Sequence, residues 1–174
     1  SNGGKQVIKI LHELGDFLTG PGSSVKITTK WDGAPAVVCG IDPEDNRFFV
    51  ATKTGAFRKV DKKLAKSEAD AQKMYDGTLA QKLATAWRIL KDCNIKGVLQ
   101  GDLMFTNDRK QERIEGKEYI TFRPNTITYA ANPKTQLGVE IKKARIGIVF
   151  HTKYTGPTLA DSTASFDVQK SDFK

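Results

Sequence analysis

Lys30-Trp31-Asp32-Gly33 is the stretch of this sequence whose residue types and spacing could do chemistry. A lysine amine is a nucleophile only when neutral, so Lys30 needs its pKa lowered by a neighbouring cation such as Lys53, by a bound metal or by partial burial. Asp32 lies two residues on and shares a strand face with Lys30, where it could orient the amine. Gly33 permits close backbone approach or a positive φ. Farther along, Asp102 sits inside an apolar run, where an unpartnered carboxylate is costly, so a ligand or an ion partner is expected. Phe150 offers a flat ring on another apolar run and could stack on a base. Each has an ordinary alternative: a strand lysine with its head in water, an acid opening an Asp-Gly turn, a buried ion pair and a core aromatic.

The elements that must position these residues are legible from periodicity. Val7, Ile10, Leu11, Leu14, Phe17 and Leu18 recur at three and four residues and predict an amphipathic helix over 4–19, ended by Gly20-Pro21-Gly22. From Ser24 the period becomes two: Val25, Ile27, Thr29 and Trp31 share one face of a strand, and Lys26, Thr28, Lys30 and Asp32 the other. Strands are expected over 36–41 and 47–52, joined by a turn in Asp42-Pro43-Glu44-Asp45-Asn46. Thr78 is a candidate cap for a helix whose Leu79, Leu83, Trp87 and Leu90 form a core stripe. Further strands are expected over 97–105, 119–123, 126–131 and 145–154, with a short helix from Asn132-Pro133 to about Lys143. The sum is an α+β fold in which largely antiparallel sheets are flanked by helices.

Length and charge bound the rest. The 174 residues, 39% hydrophobic and 28% charged, predict a single globular domain over 1–174 and exclude a disordered, collagenous or coiled-coil chain. No apolar run reaches membrane-span length, and no signal-peptide pattern opens the chain, so a cytoplasmic protein without a membrane partner is expected. Cys39 and Cys93 stand far apart and read as reduced, buried thiols, while His12 and His151 carry little signal. The net charge of +8 favours an anionic partner. Between Lys53 and Lys96 there are 11 basic residues against 5 acidic ones, so this segment holds most of the excess. Arg58, Lys59, Lys62 and Lys63 are its candidate contacts to a nucleic-acid backbone, the alternative being a solvated helical face.

In Thr28-Thr29-Lys30-Trp31-Asp32-Gly33-Ala34-Pro35-Ala36, the Lys-x-Asp-Gly at a strand end resembles the nucleophile motif of covalent nucleotidyltransferases: ATP-dependent DNA ligases, RNA ligases and mRNA capping enzymes. Three further elements of that superfamily have counterparts in order. Thr52-Lys53-Thr54-Gly55 matches its Ser/Thr-Arg-x-Gly, Val98-Leu99-Gln100-Gly101-Asp102-Leu103-Met104-Phe105 its acidic strand, and Gly147 to Gly156 its aromatic-ended strand. The wording is also similar to ligase-like proteins of tailed phages, and that resemblance implies the cytoplasm of an infected bacterium as one setting. The resemblance implies an adenylation domain with Lys30 as catalytic nucleophile and Asp32, Gly33, Lys53, Asp102 and Phe150 around the nucleotide. It implies ATP with Mg²⁺ or Mn²⁺ as cofactors, Asp102 as a metal ligand, and RNA or DNA ends or nicks as partner. Lys53 stands for the usual Arg, Asp102 for Glu and His151 for Asp. The Glu-Gly and Lys-x-Lys motifs, which supply a carboxylate and the triphosphate lysines, are not found after Gly156. A non-catalytic nucleic-acid or nucleotide-binding remnant and a GTP-using capping-type enzyme are the alternatives.

Overall fold

A computed structural model describes residues 7–11, 17–20, 23–25 and 34–173. In chain order its elements are β1 (Val7–Leu11), β2 (Phe17–Gly20), β3 (Ser23–Val25), β4 (Ala36–Ile41) and β5 (Phe48–Thr52). The helices α1 (Lys53–Ala56), α2 (Glu68–Met74) and α3 (Gly77–Leu90) follow. Then come β6 (Val98–Phe105), β7 (Lys110–Ile114), β8 (Lys117–Phe122), β9 (Ile127–Ala131), α4 (Gln136–Lys143), β10 (Gly147–Thr155) and β11 (Thr163–Ser165). The fold class is α+β with mostly antiparallel sheets and helices. Among the described residues no helix is long and apolar enough to cross a membrane.

The described residues divide into two compact units. The first takes in the described residues up to Pro35 together with Asp102–Val149. Its four-stranded sheet has the order β1-β9-β8-β7, parallel between β1 and β9 and antiparallel elsewhere. The strands at Val7–Leu11 and Phe17–Gly20 correct the helix expected over 4–19. Val7, Ile8 and Ile10 are β-branched, and β1 finds a full register on β9 from Val7↔Ile127 to Leu11↔Ala131, so sheet pairing overrides the helical spacing. The core of this unit gathers Met104, Phe105, Phe122, Tyr129, Leu137 and Ile141. Phe122 is its centre, with ring centroids 5.1 Å from Phe105 and 5.6 Å from Tyr129. The helix α4 is capped by Thr135, whose hydroxyl accepts from Gly138 N at 3.1 Å, so it begins later than Asn132-Pro133 suggests.

The second unit, Ala36–Gly101 and Phe150–Lys174, is built on the strand order β10-β6-β4-β5, with β11 paired to β10. The strands expected over 36–41 and 47–52 are observed as β4 and β5, with Val37↔Thr52 through Ile41↔Phe48 in antiparallel register. Gly40 carries φ +141°, and a Cβ there would stand 2.0 Å from the Gly97 carbonyl oxygen. That same carbonyl accepts from Ile41 N at 2.8 Å, so glycine is what lets β4 approach the start of β6. The core packs Val38, Phe49, Ala51, Ala56, Leu64, Val98 and Leu159. In α3, Leu83 and Leu90 are buried while Leu79 and Trp87 are half-buried, and the helix is capped at Asp76, two positions before the expected Thr78 cap. Cys39 and Cys93 are free and buried, as their spacing implied, and burial pushes the Cys39 thiol well above its ordinary pKa.

Candidate functional site

The segment around the predicted nucleophile is only partly described. Lys30, Asp32 and Gly33 lie outside the described residues, as do His12 and the expected strand beyond Val25. The chain is described again from Ala34, and the Pro35 carbonyl accepts from Leu103 N at 3.0 Å. The residue two past Gly33 is thereby tied to the strand that carries Asp102, at the residue next to it. All eight residues of Val98–Phe105 form β6, and Asp102 is half-buried in a run whose other members are buried. Gln100, on the same strand face, is 6% exposed and accepts a hydrogen bond from the Tyr154 hydroxyl, whose pKa burial raises.

Thr52-Lys53-Thr54-Gly55 turns out to be a strand-to-helix junction. β5 ends at Thr52, which caps the single turn α1 by accepting from Gly55 N on its hydroxyl at 3.0 Å. Lys53 is the first helical residue and is exposed. The junction is held by Tyr75, a residue no motif pointed to: its hydroxyl accepts from Thr52 N at 3.1 Å and donates to the Lys63 carbonyl at 2.7 Å. Gly55 is required by this latch, since a Cβ there would lie 2.3 Å from the Tyr75 hydroxyl.

The basic run after α1 divides by what each side chain touches. Lys62 donates from its ammonium to the Ala56 and Arg58 carbonyls at 3.1 and 2.6 Å and so closes the loop. Lys63 lies over the Tyr75 ring, 5.8 Å from its centroid. Lys66 is bound between the Asp42 carboxylate, at 2.8 Å, and that of Asp45. Burial alone would lower the Lys66 pKa, but the two carboxylates outweigh it and raise the value, while the Lys66 ammonium holds Asp45 below the ordinary carboxylate range. Arg58 is half-buried and Lys59 exposed, and these two keep the accessibility that a phosphate contact needs.

Phe150, in β10, is 6% exposed, with its ring centroid 5.4 Å from that of Phe173. Its setting is that of a core aromatic. His151, where the resemblance expects Asp, is half-buried with Nδ1 at 2.7 Å from the Thr152 hydroxyl. Asp102 belongs to the first unit, and Lys53, Arg58, Lys59, Lys62, Lys63 and Phe150 to the second. A cavity of about 160 Å³ in the second unit is lined by Ile41, Val98, Tyr154, Leu159 and Ser162 among others, and by none of the nominated residues. Among the described residues no three His, Cys, Asp or Glu side chains gather into a metal-binding group.

A family model described as a family of unknown function (DUF6267) matches residues 1–174, and the chain belongs to that family. No curated protein and no solved structure matches the chain.

Proposed function

We propose that this DUF6267 chain is a covalent nucleotidyltransferase of the polynucleotide-ligase type, with Lys30 as its nucleophile. The observation that carries the reading is the hydrogen bond from Leu103 N to the Pro35 carbonyl, which joins the C-terminal end of the Lys30 segment to the strand of Asp102. Two further features support it. Thr52-Lys53-Thr54-Gly55 occupies a strand-to-helix junction with Lys53 exposed, and the acidic and aromatic-ended motifs each coincide with one strand, β6 and β10.

In the first step the neutral Lys30 amine attacks the α-phosphorus of ATP, an N–P bond forms, and the bond to the bridging oxygen breaks to release pyrophosphate. The proton lost from the amine passes to water or to Asp32. AMP is then transferred to a 5′-phosphate of the nucleic acid, and a 3′-hydroxyl displaces it to seal the strand. Any phosphate contact made by Lys53 is that of a point charge, since lysine lacks the bidentate fork of arginine. Mg²⁺ or Mn²⁺ would offset the charge that develops on phosphate oxygens.

A second reading, a non-catalytic nucleotide- or nucleic-acid-binding relative of the ligases, is favoured by the seating of Phe150 against Phe173 and by His151 in place of an acid. Incubation with α-labelled ATP or GTP and Mg²⁺ or Mn²⁺ separates them. The ligase reading expects one covalently bound AMP that is absent from Lys30→Ala, whereas a GMP adduct moves the assignment to a capping-type enzyme. No adduct on the wild-type chain favours the binding protein.

A further inference from the structure

Arg109, Lys110 and Lys142 converge on a pocket in the first unit and lie outside every motif considered above. The pocket, about 290 Å³, is lined by Asn107, Arg109, Lys110, Gln111, Ile120 and Lys142. It therefore presents three cations, two amides and one apolar side chain, with no carboxylate in its lining. From these residues we propose that the pocket binds the phosphoryl oxygens of a polynucleotide backbone.

The arrangement is built rather than incidental. Arg109 is half-buried, with its guanidinium carbon 5.6 Å from the centroid of the Phe105 ring beneath it. One guanidinium nitrogen donates to the Thr106 carbonyl at 3.2 Å and the other to the Lys142 carbonyl at 2.9 Å. The planar fork is thus fixed before any ligand arrives, so little side-chain entropy is left to lose on binding, and donors remain beyond those two bonds. The second bond also caps the carbonyl end of α4, reducing the negative pole that would repel an anion there. Burial lowers the Arg109 pKa and the Asp108 charge opposes the change, yet an arginine stays charged, and its partial desolvation strengthens attraction to an oxyanion. Asp108 is the nearest acid in sequence, and its carboxylate accepts from Thr106 N at 2.9 Å.

Lys110 opens the edge strand β7 and pairs in register with Thr121, while Lys142 lies in the last turn of α4. Both are exposed, so each can swing to a phosphate without disturbing the core. The amides of Asn107 and Gln111 add neutral donors suited to the same oxygens. A phosphate carried by a chain has neighbouring phosphates for Lys110 and Lys142, which a rigid single-anion cage would not need. The overall charge of +8 draws such a polyanion toward the surface. This inference does not rest on Lys30 or on nucleotidyl transfer.

The test is fluorescence anisotropy of a labelled single-stranded oligonucleotide against the full chain over a range of salt, with inorganic phosphate as competitor. The double variant Lys110→Ala/Lys142→Ala is expected to bind about tenfold or more weakly, and its slope of log affinity against log salt to fall by about 1.4, at roughly 0.7 per lost phosphate contact on single strands. Lys117→Ala/Lys134→Ala removes the same charge from exposed positions of the same unit, Lys117 pairing with Ile114 at the far end of the hairpin, and is expected to change affinity less than about twofold. Equal losses in the two double variants overturn the proposal, as does absence of wild-type binding. Displacement by millimolar inorganic phosphate that leaves no oligonucleotide-specific affinity reassigns the pocket to a free phosphate and overturns the polynucleotide source. Arg109→Gln, checked for intact fold by circular dichroism, is expected to weaken binding further.

Discussion

Replacing Gly55 with Ala puts a methyl group 2.3 Å from the Tyr75 hydroxyl and 3.1 Å from both Lys63 Cβ and Thr52 Oγ1. The hydroxyl cannot simply swing away, because it is fixed by one bond from Thr52 N and one to the Lys63 carbonyl, and Tyr75 is 8% exposed. Overpacking of this kind costs about 1–3 kcal/mol. Displacing the hydroxyl adds about 1 kcal/mol for each hydrogen bond lost. A gain of up to about 1 kcal/mol from the stiffer unfolded chain offsets part of this, leaving Gly55→Ala destabilised by about 3 kcal/mol. Tyr75→Phe forfeits the two hydrogen bonds alone, about 2 kcal/mol. The double variant loses the same bonds once and is relieved of the closest contact, so its cost is expected to fall below the sum of the single costs by at least about 1 kcal/mol. The assay is urea unfolding followed by fluorescence of Trp87, which lies in the same unit, in a Trp31→Phe background so that one of the two tryptophans reports. A neutral Gly55→Ala, or single costs that add to within about 0.5 kcal/mol, would refute the packing argument.

Other perturbations have equally definite outcomes. Gly40→Ala, which forces a Cβ to within 2.0 Å of the Gly97 carbonyl at φ +141°, is expected to cost about 4 kcal/mol or prevent folding, as read by soluble yield and urea midpoint. Lys66→Met strands the Asp42 carboxylate, 3% exposed, and is expected to cost about 2 kcal/mol in the same melts. The Lys66 cluster also sets a pH window. Lys66 holds its proton more tightly folded than unfolded, so its contribution is full below the ordinary value of 10.5 and lost as pH rises through the raised folded value. Asp45 titrates lower when folded, so its contribution is present above the ordinary 3.8 and lost as pH falls through the depressed value, and Lys66→Met is expected to flatten both limbs. By contrast Arg88→Ala, which opens an exposed pair with Glu68, is expected to shift stability by less than about 0.5 kcal/mol.

Strands β4, β5, β6, β8, β9 and β10 and helices α3 and α4 were legible because alternation, helical spacing and turn residues agreed within each segment. The first strand was not: Val7, Ile10 and Leu11 satisfy a helical spacing, and only the distant β9 shows that an extended chain pairs better. The hairpin strand β7 was missed because Lys110, Gln111 and Arg113 are exposed and no apolar alternation marks an edge strand with two wet faces. Short α1 and α2 carry capping residues, Thr52 and Ser67, but too few turns to make a periodic signal. Among site residues, the basic run from Arg58 looked uniform in sequence, yet Lys62 closes a loop and Lys66 balances two carboxylates. Which lysines remain open to a ligand depends on carbonyls and acids brought close by folding. The Arg109 pocket escaped notice for the same reason, since its cations come from a loop, a strand edge and the end of α4. The adjacent pairs Arg109-Lys110 and Lys142-Lys143 were the only trace of it in the sequence.

The central claim is that Lys30 becomes covalently adenylylated. Intact-mass measurement of the full chain after incubation with ATP and Mg²⁺ or Mn²⁺, alongside Lys30→Ala, tests it most directly. One added adenylyl group is expected on the wild-type chain, removed by pyrophosphate and absent from the variant. An unmodified wild-type chain, or an adduct that persists in Lys30→Ala, would contradict it.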